Sequence, residues 1–93
     1  DRAVVINYPG NIYGFAGATA SKIAIEKKKV VFLLFQIDSQ PDMFMVTART
    51  HRDINVDLNK VMSKIGGGGH KYAAAGRIPA RKEDVVVKLA EDL

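Results

Sequence analysis

From Val30 to Ile37 the chain reads VVFLLFQI, apolar throughout except for Gln36. A strand with one wet face alternates apolar and polar residues, whereas an uninterrupted apolar run is the mark of a central strand covered on both faces. The chain must therefore form a sheet and also supply cover for each side of it, and with 93 residues there is enough chain for one such core and no more. The unbroken part, Val30 to Phe35, falls far short of the roughly 20 residues that span a bilayer, so no membrane segment is expected. A composition of 47% hydrophobic and 26% charged residues fits neither a disordered tail nor a fibrous repeat. The absence of cysteine excludes disulfides, thiol catalysis and cysteine-ligated metals. It also agrees with a reducing compartment, and a cytoplasmic location is expected.

Around that strand the other elements follow from local pattern. Ala3 to Tyr8 is rich in β-branched residues and stops at Pro9-Gly10, the signature of a strand and its turn. From about Phe15 to Lys28, small residues with Ile23 at helical spacing from Ala16 and Ala20 predict a helix lying close on a flat surface. Lys27, Lys28 and Lys29 complement the C-terminal end of that helix. Asp38 to Asp42 has turn chemistry, so Met43 to Thr50 should return antiparallel to the central strand. Period two then places Met43, Met45, Thr47 and Arg49 on one face and Phe44, Val46, Ala48 and Thr50 on the other. Leu58, Val61, Met62 and Ile65 form an amphipathic helix, with Asn55 or Asp57 as its N-cap and Gly66 as its stop. His70 to Gly76, with its three alanines, predicts a short helical turn, followed by a brief strand at Gly76 to Ile78 that Pro79 ends. Val86, Leu89, Ala90 and Leu93 define a terminal amphipathic helix beginning near Glu83. The expected architecture is a single α/β domain, residues 1–93, with a mixed sheet of about four to five strands and helices packed on it.

Four consecutive glycines, Gly66 to Gly69, need a physical reason in so small a domain, because each costs backbone entropy wherever the chain is regular. Placed before His70 and an expected helix start, they read either as a connector or as a loop whose backbone N–H groups face an anion, with His70 beside it. The net charge of +4 favours polyanionic partners, though mildly. His51 and Arg52 read as exposed turn residues that extend a basic patch around Arg49. Tyr72 reads equally as core or as a stacking surface.

The string GGGGHKYAAAG, Gly66 to Gly76, resembles the glycine-glycine-glycine-histidine motif that closes the DHH-associated domain of DHH-family phosphoesterases. Thr47-Ala48-Arg49-Thr50 is similar to the family's Ser-x-Arg-Ser strand end, with threonines in place of serines. Ile54-Asn55-Val56 stands where the family begins the following helix, and the resemblance covers nearly the whole chain. It implies that Gly67, Gly68, Gly69, His70 and Arg49 contact substrate phosphate, with Asn55 and Thr47 as weaker candidates. The bland readings of those two are a helix N-cap and an ordinary strand residue. It also implies an N-terminal DHH domain in a longer parent, an expectation that a first residue of Asp1 rather than Met agrees with. Two manganese ions would be held in that domain. The Asp-His-His motif is not in this chain, so no metal ligands and no catalytic residues are assigned here, and the chain alone is expected to be inactive. The implied partners are nucleotides or short single-stranded nucleic acids: short oligonucleotides, nucleotide phosphates, cyclic dinucleotides, or single-stranded DNA as in RecJ-type exonucleases. The alternative is a nucleic-acid-binding domain without chemistry, like the tail of alanyl-tRNA synthetases, which usually lacks a histidine at the position of His70.

Overall fold

The computed structural model describes residues 2–93; Asp1, at the start of the expected 1–93 domain, lies outside the described residues. In chain order the elements are β1 (Ala3–Asn7), α1 (Ala16–Lys27), β2 (Val30–Ile37), β3 (Gln40–Arg49), α2 (Leu58–Ser63), β4 (Gly68–Gly69), β5 (Ala73–Pro79), a 3₁₀ turn (Ala80–Lys82) and α3 (Glu83–Glu91). The five strands form one sheet in the order β1-β2-β3-β5-β4. β1 runs parallel to β2 and every other pair is antiparallel, so α1 serves as the crossover of a βαβ unit. This is the mixed α/β sheet that the sequence predicts.

β2 is covered on both faces, and its side chains divide by period two into two cores. Val31, Leu33 and Phe35 meet Ala16, Ala20 and Ala24 of α1. Val30, Phe32 and Leu34 join Val46, Ala48, Leu58, Met62, Ala74, Ile78 and Val86 on the side of α2 and α3. The three alanines, spaced four apart on α1, are almost fully buried, and their small size lets the helix backbone approach the sheet. α2 is capped by Asp57, whose carboxylate accepts from the N–H groups of Asn59 and Lys60. Gly66 ends this segment with φ +81°, while the Gly66 and Gly67 amides donate to the carbonyls of Ser63 and Met62, the two bonds of a Schellman end.

Two stretches of the sheet differ from their predicted form, and the first is short: Gln40 to Asp42, expected within the turn, already belongs to β3. Ala73 to Gly76, expected as a helical turn, is the first half of β5 and pairs with β3 from Arg49↔Ala73 to Met43↔Pro79. Alanine favours helix by intrinsic propensity, but seven cross-strand pairings to β3 outweigh a preference of a few tenths of a kcal/mol per residue. Ala74 is buried in the second core.

Candidate functional site

Arg49 closes β3 on the face it shares with Thr47, as period two predicts, and α1 covers that face. Its guanidinium lies over Gly17 of α1, and a methyl group built on Gly17 would stand 2.6 Å from Nη2. Nη1 donates to the carbonyl of Ala48 at 2.8 Å and reaches that of Ala74 at 3.5 Å. No carboxylate among the described residues lies within salt-bridge reach of it. Burial pushes its pKa below the ordinary arginine value, yet a guanidinium stays charged at any pH a protein survives. The result is a partly desolvated cation with carbonyl partners and no counter-ion among the described residues. Such a group gains from binding an anion that its planar fork can meet with two hydrogen bonds.

Two hollows meet at this arginine. One, of about 330 Å³, is lined by Tyr13, Gly14, Gly17, Thr47, Arg49 and Ala75 among others. The other, of about 530 Å³, is lined by Ser21, Ile25, His51, Arg52, Asp53 and Tyr72 among others, together with Arg49. Thr47 is buried beside Arg49 on the same strand, paired to Leu33 and Ala75. The sheet brings His70 to the same end: its N–H donates to the Ala73 carbonyl at 2.7 Å and its carbonyl accepts from the Ala73 N–H at 3.4 Å. Ala73 in turn is the partner of Arg49. Arg49, Ala73 and His70 thus lie side by side across neighbouring segments of the sheet, about 10 Å from the first Cα to the last by ordinary strand spacing, and His70 itself lines neither hollow. Asn55 is exposed in the connection before α2, is not the cap, and lines neither hollow.

The glycine run is built differently from the loop-and-helix arrangement expected of it. No helix follows His70; Gly68 and Gly69 form β4 on β5, and Leu58 N–H donates to the Lys71 carbonyl, tying the turn at 70–72 to the start of α2. The amides of Gly66, Gly67, Gly69 and His70 all donate within the chain, to Ser63, Met62, Asn59 Oδ1 and Ala73 respectively. Gly67 and Gly69 are glycines because the backbone of β5 passes against them. A Cβ at Gly67 would run into the Ala75 carbonyl oxygen and come within 2.9 Å of Gly76 Cα, and one at Gly69 would stand 2.5 Å from the Ala73 carbonyl and 2.7 Å from Ala74 Cα. What the run supplies is a close seam that sets the height and turn of His70.

Asn59 went unnoticed in the sequence because one asparagine on a helix face carries no signal of its own. Its Oδ1 accepts from Gly69 N–H at 3.1 Å, ten residues away, and its own N–H is held by the cap Asp57. Asn59→Ala should cost about 1 kcal/mol of stability, the loss of one ordinary hydrogen bond, and should speed amide exchange at Gly69 selectively. Denaturant unfolding together with residue-resolved hydrogen exchange checks both outcomes.

His51 is largely shielded, with 18% of its side chain exposed, rather than the exposed turn residue expected. Its Nδ1 accepts from Asp53 N–H at 3.1 Å, which leaves the Nε2–H as the donor of the neutral ring. Tyr72 is exposed, with Lys71 Nζ 5.6 Å from its ring centroid, and so belongs to the surface rather than to the core. Among the described residues no group of three or more His, Asp or Glu side chains could hold a metal ion, and no helix is long and apolar enough to cross a membrane.

Similar structures share this architecture. The C-Ala domain of alanyl-tRNA synthetase from Aquifex aeolicus superposes with a TM-score of 0.79 at 21% identity, covering 97% of this chain and 87% of that one. RecJ from Thermus thermophilus, solved in complex with Mg²⁺, gives 0.77 at 22% identity over 98% of this chain and 14% of its own. PggH from Vibrio cholerae, a pGpG-specific phosphodiesterase, gives 0.62 at 20% identity over 94% of this chain and 31% of its own. Two of these three structures are therefore much longer than the domain they share with this chain. A search of curated proteins returns no significant match. The sequence pattern of the DHHA1 domain matches residues 4–93, all but the first three positions, and the chain belongs to the DHHA1 domain family.

Proposed function

We propose that this domain holds the phosphate of a nucleotide or short single-stranded nucleic acid for a DHH-family phosphoesterase. The observation that carries the reading is Arg49, a partly buried cation without a carboxylate partner among the described residues, placed where two hollows meet and one strand away from the Ala73–His70 pair. Arg49 would bind phosphate oxygens through its fork, with Thr47 beside it. His70 would contact the scissile or a neighbouring phosphate. Gly67, Gly68 and Gly69 would act by holding His70 in place, since the amides of Gly67 and Gly69 have partners inside the chain. Asn55 remains a candidate for contact with a larger substrate.

In this reading the hydrolytic chemistry belongs to an N-terminal DHH domain of a cytoplasmic parent enzyme. There, paired manganese ions would generate the attacking hydroxide from water near neutral pH. The substrates would be phosphodiesters or phosphate esters of short oligonucleotides, nucleotides or cyclic dinucleotides. A second reading is a nucleic-acid-binding domain without chemistry, favoured by the nearly full mutual coverage with the C-Ala domain. His70 in the glycine motif supports the phosphoesterase branch.

The test is a titration of the 93-residue chain with a nucleoside monophosphate and with a short single-stranded oligonucleotide, followed by amide and side-chain NMR. Shifts centred on Arg49, Thr47 and His70 are expected. Binding should weaken as salt rises, because phosphate contacts are screened and release counterions, and no hydrolysis should occur with manganese added. Saturable binding of the oligonucleotide that leaves Arg49 and His70 unmoved would reject this site. Binding only to a structured RNA would favour the second reading.

A further inference from the structure

The larger of the two hollows has a composition that phosphate alone does not explain. Ile25 is 63% exposed and Tyr72 43% exposed, and both line it together with Ala73 and the shielded ring of His51. Large apolar side chains left open to water within one concavity mark a place where an apolar, flat or rounded group is received. Polar groups lie among them: the hydroxyls of Ser21 and Thr50, the Nε2–H of His51, the guanidinium of Arg52 and the carboxylate of Asp53. Arg49 is shared with the neighbouring hollow, so an anion bound there lies at the edge of this one.

We propose that this hollow is a nucleobase subsite, in which Tyr72 and His51 supply aromatic faces, Ile25 an aliphatic wall, and Ser21 with His51 the hydrogen bonds to the base edge. The inference rests on the phosphate reading of Arg49 and adds to it where the base goes. An aromatic base suits the occupant because its flat faces stack on Tyr72 while its edge needs a few donors and acceptors, which an aliphatic ligand would leave unpaired. Its attached phosphate meets Arg49 at the rim, where the charges of Arg52 and Asp53 on the same side offset each other. The turn at 70–72 fixes the position of Tyr72, since His70 bonds across it to Ala73 and Lys71 accepts from Leu58.

The decisive comparison uses two probes with the same phosphate, a nucleoside 5′-monophosphate and ribose 5-phosphate, titrated onto the 93-residue chain and onto Tyr72→Ala, Tyr72→Phe and Arg49→Ala. The nucleotide should bind on the order of tenfold more tightly than the sugar phosphate, the usual worth of one stacked base. Tyr72→Ala should abolish that advantage while leaving ribose 5-phosphate binding unchanged, and Tyr72→Phe should keep it. Methyl shifts of Ile25 should respond to the nucleotide and not to the sugar phosphate. Because Tyr72 is exposed and outside the core, its variants should unfold at the denaturant midpoint of the parent chain. Equal affinities for the two probes, both lost in Arg49→Ala, would overturn the base subsite and leave the phosphate reading standing. An advantage of the nucleotide that survives Tyr72→Ala would overturn it as well. If neither probe binds, or Arg49→Ala changes neither, the phosphate reading fails and this inference falls with it.

Discussion

Gly67→Ala should destabilise the domain by about 3 kcal/mol or more, a large share of the roughly 5–15 kcal/mol that holds an ordinary domain folded. The added methyl has nowhere to go. It would meet the Ala75 carbonyl oxygen and Gly76 Cα, which are backbone atoms of a paired strand rather than the end of a flexible side chain. Relief requires β4 and β5 to part, which breaks the Gly68↔Ala75 and Gly69↔Ala74 pairings and removes the Gly67 bond that closes α2. Overpacking of this kind usually costs about 1–3 kcal/mol where side chains can yield, and more where only backbone can. Gly68→Ala supplies the control. Its methyl would stand 3.2 Å from Asn59 Oδ1, a side-chain atom that can move, and the cost should stay under about 1 kcal/mol. Urea unfolding of the two variants side by side decides the matter: equal midpoints would mean that the seam is not closely packed.

The second large effect is on binding. Arg49→Ala should weaken a phosphate-bearing ligand by roughly 10- to 100-fold, in keeping with a charge-assisted contact worth about 1.5–3 kcal/mol. Gly17→Ala should produce much of that loss by another route. A methyl there would press on Nη2 of Arg49 at 2.6 Å, and the guanidinium, as the end of a flexible side chain, would swing away at little cost to the fold. Alanine also favours helix over glycine by up to about 1 kcal/mol, so the variant should be as stable as the parent chain or slightly more so. A domain that melts no earlier yet binds phosphate poorly would place the function in the position of the guanidinium, not merely in its charge. Isothermal titration with ribose 5-phosphate, paired with thermal unfolding, separates these outcomes. Unchanged affinity in both variants would exclude Arg49 from the site.

Much of the architecture was legible because its signals are local. The uninterrupted run Val30 to Phe35 demands cover on two sides, the small residues of α1 demand a close surface, and α2 and α3 announce themselves by helical spacing. Period two along β3 likewise put Arg49 and Thr47 on one face, and the face is the one α1 covers. What failed was the inference from propensity at His70 to Gly76. Alanines next to glycines carry no pattern that distinguishes a helical turn from an inner strand, and the choice was made by the pairing surface that β3 offers much earlier in the chain.

The sequence alone therefore determined the class of fold and the helices, because hydrophobic period acts over a few positions. Tertiary structure decided what those residues do together. The guanidinium of Arg49 has its place because Gly17, far before it in the chain, leaves room for it on the surface of α1. The glycine run became a seam because β5 passes against it, Met62, Ser63 and Ala73 take up most of its neighbouring amides, and Asn59 on α2 takes the one at Gly69. Contacts of that kind depend on which backbones come within a few ångströms of each other, and that is set only when the sheet assembles.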